Sequence, residues 1–315
     1  MSQSPSTSRI IFPDAGFSFG RLPIDGGIRK IEVISRNNRP KQTAGSRAPP
    51  LSPTRHHKGS IKLFDHIISS EKPSNPVRIT AVQESDFKKW LGKQSDAHQA
   101  WIASSGYDGK RGTHLALAGD AGTYQTIVIS YVDDAKTQWD FAGLPTALPA
   151  GEYILTDDVT KNDAICEKAV LGLYLGGYRF DRYRKSEAST AKRALFAIPS
   201  NDATKRAENI ARGIGLARDL INIPANDMGP EELEAAARRL GEEFGAKVTS
   251  IIGEDLNKRN FPAIYTVGKG SDRAPRLIDL HWGDENAPKV TLVGKGVCFD
   301  TGGYDLKPSS NMLLM

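Results

Sequence analysis

Several things are scarce in this 315-residue chain, and each shortage removes a class of function. There are only two cysteines, Cys166 and Cys298, far apart and in no CxxC spacing, so neither a disulfide-stapled scaffold nor a cysteine zinc ribbon fits, and a reducing compartment does. No apolar run approaches the roughly 18 residues that cross a bilayer, so no membrane partner is expected. The N-terminus has no apolar signal core either, because Arg9-Ile10-Ile11-Phe12 gives way at once to Pro13 and Asp14. A cytoplasmic location is therefore expected. Six histidines occur, at 56, 57, 66, 98, 114 and 281, none in an HExxH or Cys/His metal spacing, and they read as structural or exposed. There is no GxSxG elbow and no Walker loop, since Gly294-Lys295 is followed by Gly296 where a P-loop needs Ser or Thr.

What is present is the balance of a globular protein: 39% hydrophobic and 25% charged residues with mean hydropathy −0.41 leave room for about two domains, each burying its own core. The net charge of +5 and pI near 9.0 would invite a nucleic-acid reading, were the charge spread over the fold. It is not: residues 1–60 hold ten Lys or Arg against three Asp or Glu, and the other 255 residues carry a net charge of −2. That first stretch, rich in Ser, Pro, Arg and Gly (RPKQTAGSRAPPLSPTRHHKG), has too little clustered apolar surface to offset the entropy of ordering it. Residues 1–60 are read as a disordered basic extension, or as sequence upstream of the true start. A nucleic-acid arm is the lesser alternative, because Phe12, Phe17 and Phe19 lie away from the basic run.

From about Lys62 the chain alternates strand and helix signals. Strands are expected at Val77–Val82, Thr113–Ala118, Gln125–Val132 and Arg193–Pro199. Helices are expected at Glu84–Leu91, around Ala97, Trp101 and Ile102, and at Asn162–Tyr178, where Ile165, Ala169, Leu173 and Gly176 line one side before a Gly176-Gly177 stop. This defines an N-terminal α/β domain over 61–200. A domain over 201–315 opens with a helix at Ala207–Asn222, whose stripe is Ile210, Ile214, Ala217 and Ile221. A second helix begins at Pro230, with Leu233, Ala237, Leu240 and Phe244 on one face. Strands at Val248–Ile252, Ala263–Val267, Arg276–Trp282 and Lys289–Val293 complete what reads as the opening of a doubly wound sheet, whose sites lie at the carboxyl ends of strands.

The stretch Lys289–Met315, KVTLVGKGVCFDTGGYDLKPSSNMLLM, runs a strand into glycines that flank one aspartate and two lysines. On its own it reads most simply as a tight turn with solvated lysines, and less readily as a phosphate or metal site. Together with LARDLINIPANDMGPEEL, FPAIYTVGKGS and RLIDLHW, however, it resembles the leucyl (cytosol) aminopeptidase family, the M17 metallopeptidases. The resemblance spans roughly 62–315 and is weak before about 160.

The resemblance implies a smaller N-terminal α/β domain followed by the first part of a doubly wound, zinc-peptidase-type catalytic domain. It implies hydrolytic release of N-terminal, leucine-like residues from peptides, with two divalent metal ions (manganese or zinc), bicarbonate as a proton shuttle and a homo-oligomer, usually a hexamer. Lys295 matches a metal-ligating lysine, which has a lone pair to offer only as the neutral amine. Asp300 matches the carboxylate bridging the two metals, Lys307 the lysine that stabilises the oxyanion, and Met315 an apolar wall of the first side-chain pocket. Gly294, Gly296, Gly302 and Gly303 would allow close approach. Thr301 and Asp305 depart from the usual Ser and small polar residue, and Cys298 reads as a core residue. The other family ligands fall beyond Met315, so the chain is expected to be a piece of a longer product with two of five protein ligands and an uncovered sheet edge. A catalytically dead, regulatory or binding relative is the alternative reading.

Overall fold

A computed structural model of the chain describes residues 30–37, 67–69, 73, 75–119, 124–183, 193–299 and 308–312. In chain order the elements are β1 (Lys30–Asn37), β2 (Ile67–Ser69), β3 (Val77–Gln83), α1 (Phe87–Leu91), α2 (Asp96–Ser105), β4 (His114–Ala118) and β5 (Tyr124–Tyr131). There follow α3 (Thr137–Phe141), α4 (Leu144–Ala147), β6 (Gly151–Leu155), α5 (Asp157–Thr160), α6 (Asp163–Gly177), β7 (Ala194–Ile198) and α7 (Asp202–Asn222). The last are α8 (Pro230–Phe244), β8 (Lys247–Ile252), α9 (Glu254–Lys258), α10 (Pro262–Gly268), β9 (Arg276–His281), β10 (Thr291–Phe299) and α11 (Ser309–Met312). They form two compact units, one within Ser46–Pro224 and one from Met1–Gly45 with Ala225–Met315.

In the Ser46–Pro224 unit a six-stranded sheet has the order β2-β7-β6-β3-β5-β4, parallel except for the β4–β5 pair. Strand alternation divides its apolar residues between two faces. Ile79, Ile127 and Ile129 meet Phe141, Leu144, Ile165 and Leu173 from the helices after β5, whereas Val82, Val128 and Leu117 meet Phe87 and Ile102 from α1 and α2. The alternating strands and the helix at Asn162–Tyr178 expected from the sequence are thus present, with Asn162 as the N-cap accepting from the Ala164 and Ile165 amides.

The helix α6 is buried nearly all round rather than along one stripe: Ile165, Cys166, Ala169, Val170, Leu173 and Tyr174 are all enclosed. Two glycines make this possible. A Cβ on Gly172 would strike the Gln138 carbonyl oxygen, and one on Gly176 would strike the Ala142 carbonyl, so α3 and its C-terminal extension lie directly on the α6 backbone. The sequence suggested Gly176 as a stop signal; here it is also a packing residue.

On α7 the expected stripe is turned outward. Ile210 and Ile221 are exposed, while Ala203, Ala207, Ala211 and Gly215, four residues apart, form the buried face. Small side chains let α7 approach α6 closely, which bulky isoleucines would prevent. Because α7 packs this way it lies in the Ser46–Pro224 unit, and the division falls after Pro224 instead of at 200. An Asn201–Thr204 capping box starts the helix.

The other unit holds a mixed sheet of order β10-β1-β9-β8. Strand β1 runs parallel to β10 and antiparallel to β9, so residues 30–37, assigned by sequence to a disordered extension, are paired on both sides. The segment KIEVISRN carries β-branched residues in sufficient number for this, although the surrounding composition hides them. Leu256, Ile264 and Leu277 form the core, with Ile251, Phe261 and Tyr265 packed on it.

Ala263–Val267, expected as a strand, belongs to the helix α10. A five-residue apolar run does not distinguish the two structures by periodicity. Pro262 at its first turn and the Tyr265 N–H bond to the Phe261 carbonyl (3.2 Å) favour helix. On α8, Leu240 and Phe244 of the expected apolar face are exposed, and the buried positions include Glu234, Ala236 and Gly241.

Replacing Gly176 with Ala should destabilise the fold. The gain in helix propensity of about 1 kcal/mol is smaller than the cost of about 1–3 kcal/mol for overpacking against backbone that cannot rotate away. Urea denaturation should show a lower midpoint with little change in slope.

Candidate functional site

Of the four residues singled out by sequence, the structure places one. Lys295 lies in the middle of β10, exposed, with Gly294 and Gly296 on either side and Ile34 of β1 as its registered partner. Alternation puts Val293, Val297 and Phe299 on its face of the strand. Strand β10 is the edge of its sheet, and Leu292, Val293 and Phe299 are exposed along it. Asp300, Lys307 and Met315 lie outside the described residues, as do Thr301, Gly302, Gly303 and Asp305. Downstream, α11 begins at Ser309.

Chemically, Lys295 presents one amine with no bulk on either flank, since both neighbours lack side chains. Among the described residues no group of three or more His, Cys, Asp or Glu side chains comes together to hold a metal ion. A single amine does not fix a divalent cation, so the described residues do not by themselves fit a dinuclear centre. Cys298 is half-buried, and Cys166 is buried in α6. His281 contacts the Asp279 carboxylate at 2.9 Å and His98 the Ala118 carbonyl at 3.1 Å, which accords with structural histidines.

In the same unit, α8 is clamped onto the sheet by charge, a contact not visible in sequence. Glu234, buried on α8, accepts from Arg276 of β9 and from Arg238 one helical turn on. Glu231 takes a second Arg276 bond (3.1 Å), and Arg273 joins Glu231 and Glu232. Glu232 also accepts the Gly229 N–H, closing the helix start. Burial pushes the Glu234 carboxyl up, but the bonds from Arg276 and Arg238 outweigh it and hold the group below its ordinary range. Arg273 and Arg276 lie some forty residues from their partners on α8, beyond the reach of any local sequence pattern.

Two family profiles match the chain. The profile of the M17 aminopeptidase N-terminal domain matches residues 77–196, and that of the cytosol aminopeptidase family catalytic domain matches 215–315. Between them the two profiles account for more than two-thirds of the chain. It belongs to the M17 cytosol aminopeptidase family. A probable cytosol aminopeptidase of Mycobacterium ulcerans is 38% identical over 167 residues, 49% of this chain and 32% of that protein. Its counterpart in Mycobacterium bovis is 38% identical over 181 residues, 53% of this chain and 35% of that protein. Among solved structures, the cytosol aminopeptidase of Coxiella burnetii superposes with a TM-score of 0.69 at 42% identity, covering 80% of this chain and 54% of that one. The bottromycin maturation enzyme BotP, in complex with Mn, gives 0.55 at 25% identity, covering 75% and 51%. The chain thus spans about a third of the length of these curated relatives and about half of the solved ones.

The M17 chain combines a mixed α/β N-terminal domain with part of the family's catalytic domain, and Lys295 falls inside the catalytic match. Among its described residues no helix is long and apolar enough to cross a membrane.

The Glu234 clamp can be tested by pH. A depressed carboxyl adds stability that is complete above the ordinary value of 4.5 and disappears as pH falls through the lowered one. Glu234→Leu, which strips a buried arginine of one partner, should cost about 3 kcal/mol at neutral pH. Urea denaturation should also show that the variant loses less stability than the parent between neutral pH and pH about 3.

Proposed function

We propose that this chain carries part of the active site of a metal-dependent aminopeptidase that releases N-terminal amino acids, leucine-like ones among them, from peptides. The observation that carries this reading is the exposed Lys295, set between two glycines on β10 inside the stretch matched by the catalytic-domain profile. In this reading Lys295 and Asp300 are ligands of two divalent ions, and the manganese complex of BotP supports manganese as the metal to try first, with zinc next. Bound metal would supply Lewis acidity at the scissile carbonyl.

The remaining roles belong to the chain's own side chains. Lys295 acts as a neutral amine, and Gly294 and Gly296 leave its approach free of side chains. Lys307 is assigned the fixed positive charge that stabilises the developing oxyanion. Met315 forms an apolar wall for the substrate's first side chain. Bicarbonate is the further cofactor that the family reading admits. Peptides are the partners, and a homo-oligomer, a hexamer by family, is the proposed assembly. The cytoplasm is the proposed location, in keeping with relatives named cytosol aminopeptidases.

Hydrolysis of leucine p-nitroanilide by a chain extended to the full length of the family's catalytic domain tests the proposal. The expected result is release of p-nitroaniline that needs added manganese, stops on chelation and falls by about 10²–10³-fold in Lys307→Ala, the usual loss for one oxyanion-stabilising group. No turnover by a chain that remains folded by circular dichroism would favour a non-catalytic binding or regulatory member of the family.

A further inference from the structure

The six-stranded sheet of the Ser46–Pro224 unit ends in β4, which among the described residues pairs only with β5. A free sheet edge offers unpaired N–H and C=O groups to any strand that reaches it, and proteins commonly blunt such an edge with charge, proline or shortness. At the opposite end of this sheet β2 is three residues long. Strand β4 lacks these defences: residues 112–119, GTHLALAG, contain no Lys, Arg, Asp, Glu or Pro. An uncharged apolar strand of this kind stacks on others when its edge is open.

Its protection comes from α2 instead. Trp101 donates its indole Nε1–H to the Ala116 carbonyl at 3.0 Å, and His98 Nε2 meets the Ala118 carbonyl at 3.1 Å. A carbonyl oxygen only accepts, so His98 carries a proton on Nε2. In an antiparallel pair the N–H and C=O of one residue point to the same side. Since the Ala116 carbonyl turns to Trp101, its N–H also faces away from β5, and both lie on the edge that a further strand would use. That strand would run about 4.8 Å from β4. The indole, bonded at 3.0 Å, stands in its path. The two donors are three residues apart on α2, hence on one face of the helix, and their acceptors are two apart on β4.

The attachment of α2 does not depend on these side chains. Ile102, 1% exposed, packs with Phe87, Leu117 and Val128, and Tyr107 beyond the helix end reaches Ser130 Oγ at 2.8 Å. Trp101 is 49% exposed and lies outside that cluster. The partner that an open β4 would take is a second copy of this chain. An uncharged strand meets its own antiparallel image without repulsion, and a twofold axis makes both sides of the contact the same.

We propose that Trp101 and His98 guard the β4 edge, occupying its outward carbonyls and so keeping a second copy from continuing the sheet with its own β4. This does not rest on the peptidase reading.

The 315-residue chain is compared with His98→Ala/Trp101→Ala, in which alanine favours the helix, by sedimentation velocity and by hydrogen exchange at the β4 amides. Strand β10 exposes apolar side chains in the other unit, so size alone would not place an association. The double variant is expected to self-associate about tenfold more tightly than the parent, the worth of two lost hydrogen bonds. The Ala116 amide should gain protection as its concentration rises. Adding Ala118→Lys, at an exposed position, puts a charge on the edge and should return both readings to those of the parent. Should the double variant lose its circular dichroism signal, Trp101→Ala and His98→Ala taken singly should each show a smaller rise of the same kind. Equal association of variant and parent, association that leaves the Ala116 amide exchanging as in the parent, or association that Ala118→Lys does not reverse would each overturn the proposal.

Discussion

The absence of side chains at two points on α6 is the constraint on which the Ser46–Pro224 unit depends. Gly172 and Gly176 let the backbone of α3 and Ala142 rest on the helix, and Ala203, Ala207, Ala211 and Gly215 let α7 rest on it as well. With these close approaches α6 becomes the enclosed centre of the layer, and Ile165, Ala169 and Leu173 reach the sheet. A helix wrapped on so many sides keeps only a narrow polar edge, Glu167 and Lys168, between buried residues on either side. Because one face of the sheet is committed to this packing and the other to α1 and α2, β3 and β5 send their connections apart.

The second unit is held differently. Its apolar core of Leu256, Ile264 and Leu277 is small, and α8 is attached to β9 largely through the Glu234–Arg276 pair and its neighbours Glu231 and Arg273. Buried charge is weak evidence for stability in itself, yet it defines how two elements must meet, because either partner alone would be left in a poor environment. The pair joins α8 to the sheet of which β10, bearing Lys295, is a strand. Among the described residues β10 pairs only with β1, and it exposes Leu292, Val293 and Phe299.

The differences between expectation and structure have local causes. Periodicity located β3, β5, α6 and β9 because their patterns are long or strictly alternating. It missed β6 (Gly151–Leu155) and β2 (Ile67–Ser69), which are too short to display a period, and misread α10, whose five apolar residues suit either structure. The isoleucines of α7 gave the right helix and the wrong face, since hydrophobicity favoured the bulky side while close packing selected the small one. Strand β1 was hidden by the basic, proline-rich sequence around it. For the candidate centre, the reading of Lys295, Asp300, Lys307 and Met315 came from a resemblance and not from spacing, and only Lys295 has a described position.

The sequence by itself determined the family and the α/β class, because a long glycine-lysine-aspartate motif and alternating strand and helix patterns are local properties of a chain. It also separated the basic N-terminal stretch from a nearly neutral remainder. Tertiary structure decided which helix face is buried, that Glu234 meets Arg276 across forty-two positions, and that Trp101 and His98 cap the edge of β4. These depend on segments distant in sequence meeting at atomic distances, where sterics and desolvation choose among faces and partners that local composition leaves equivalent.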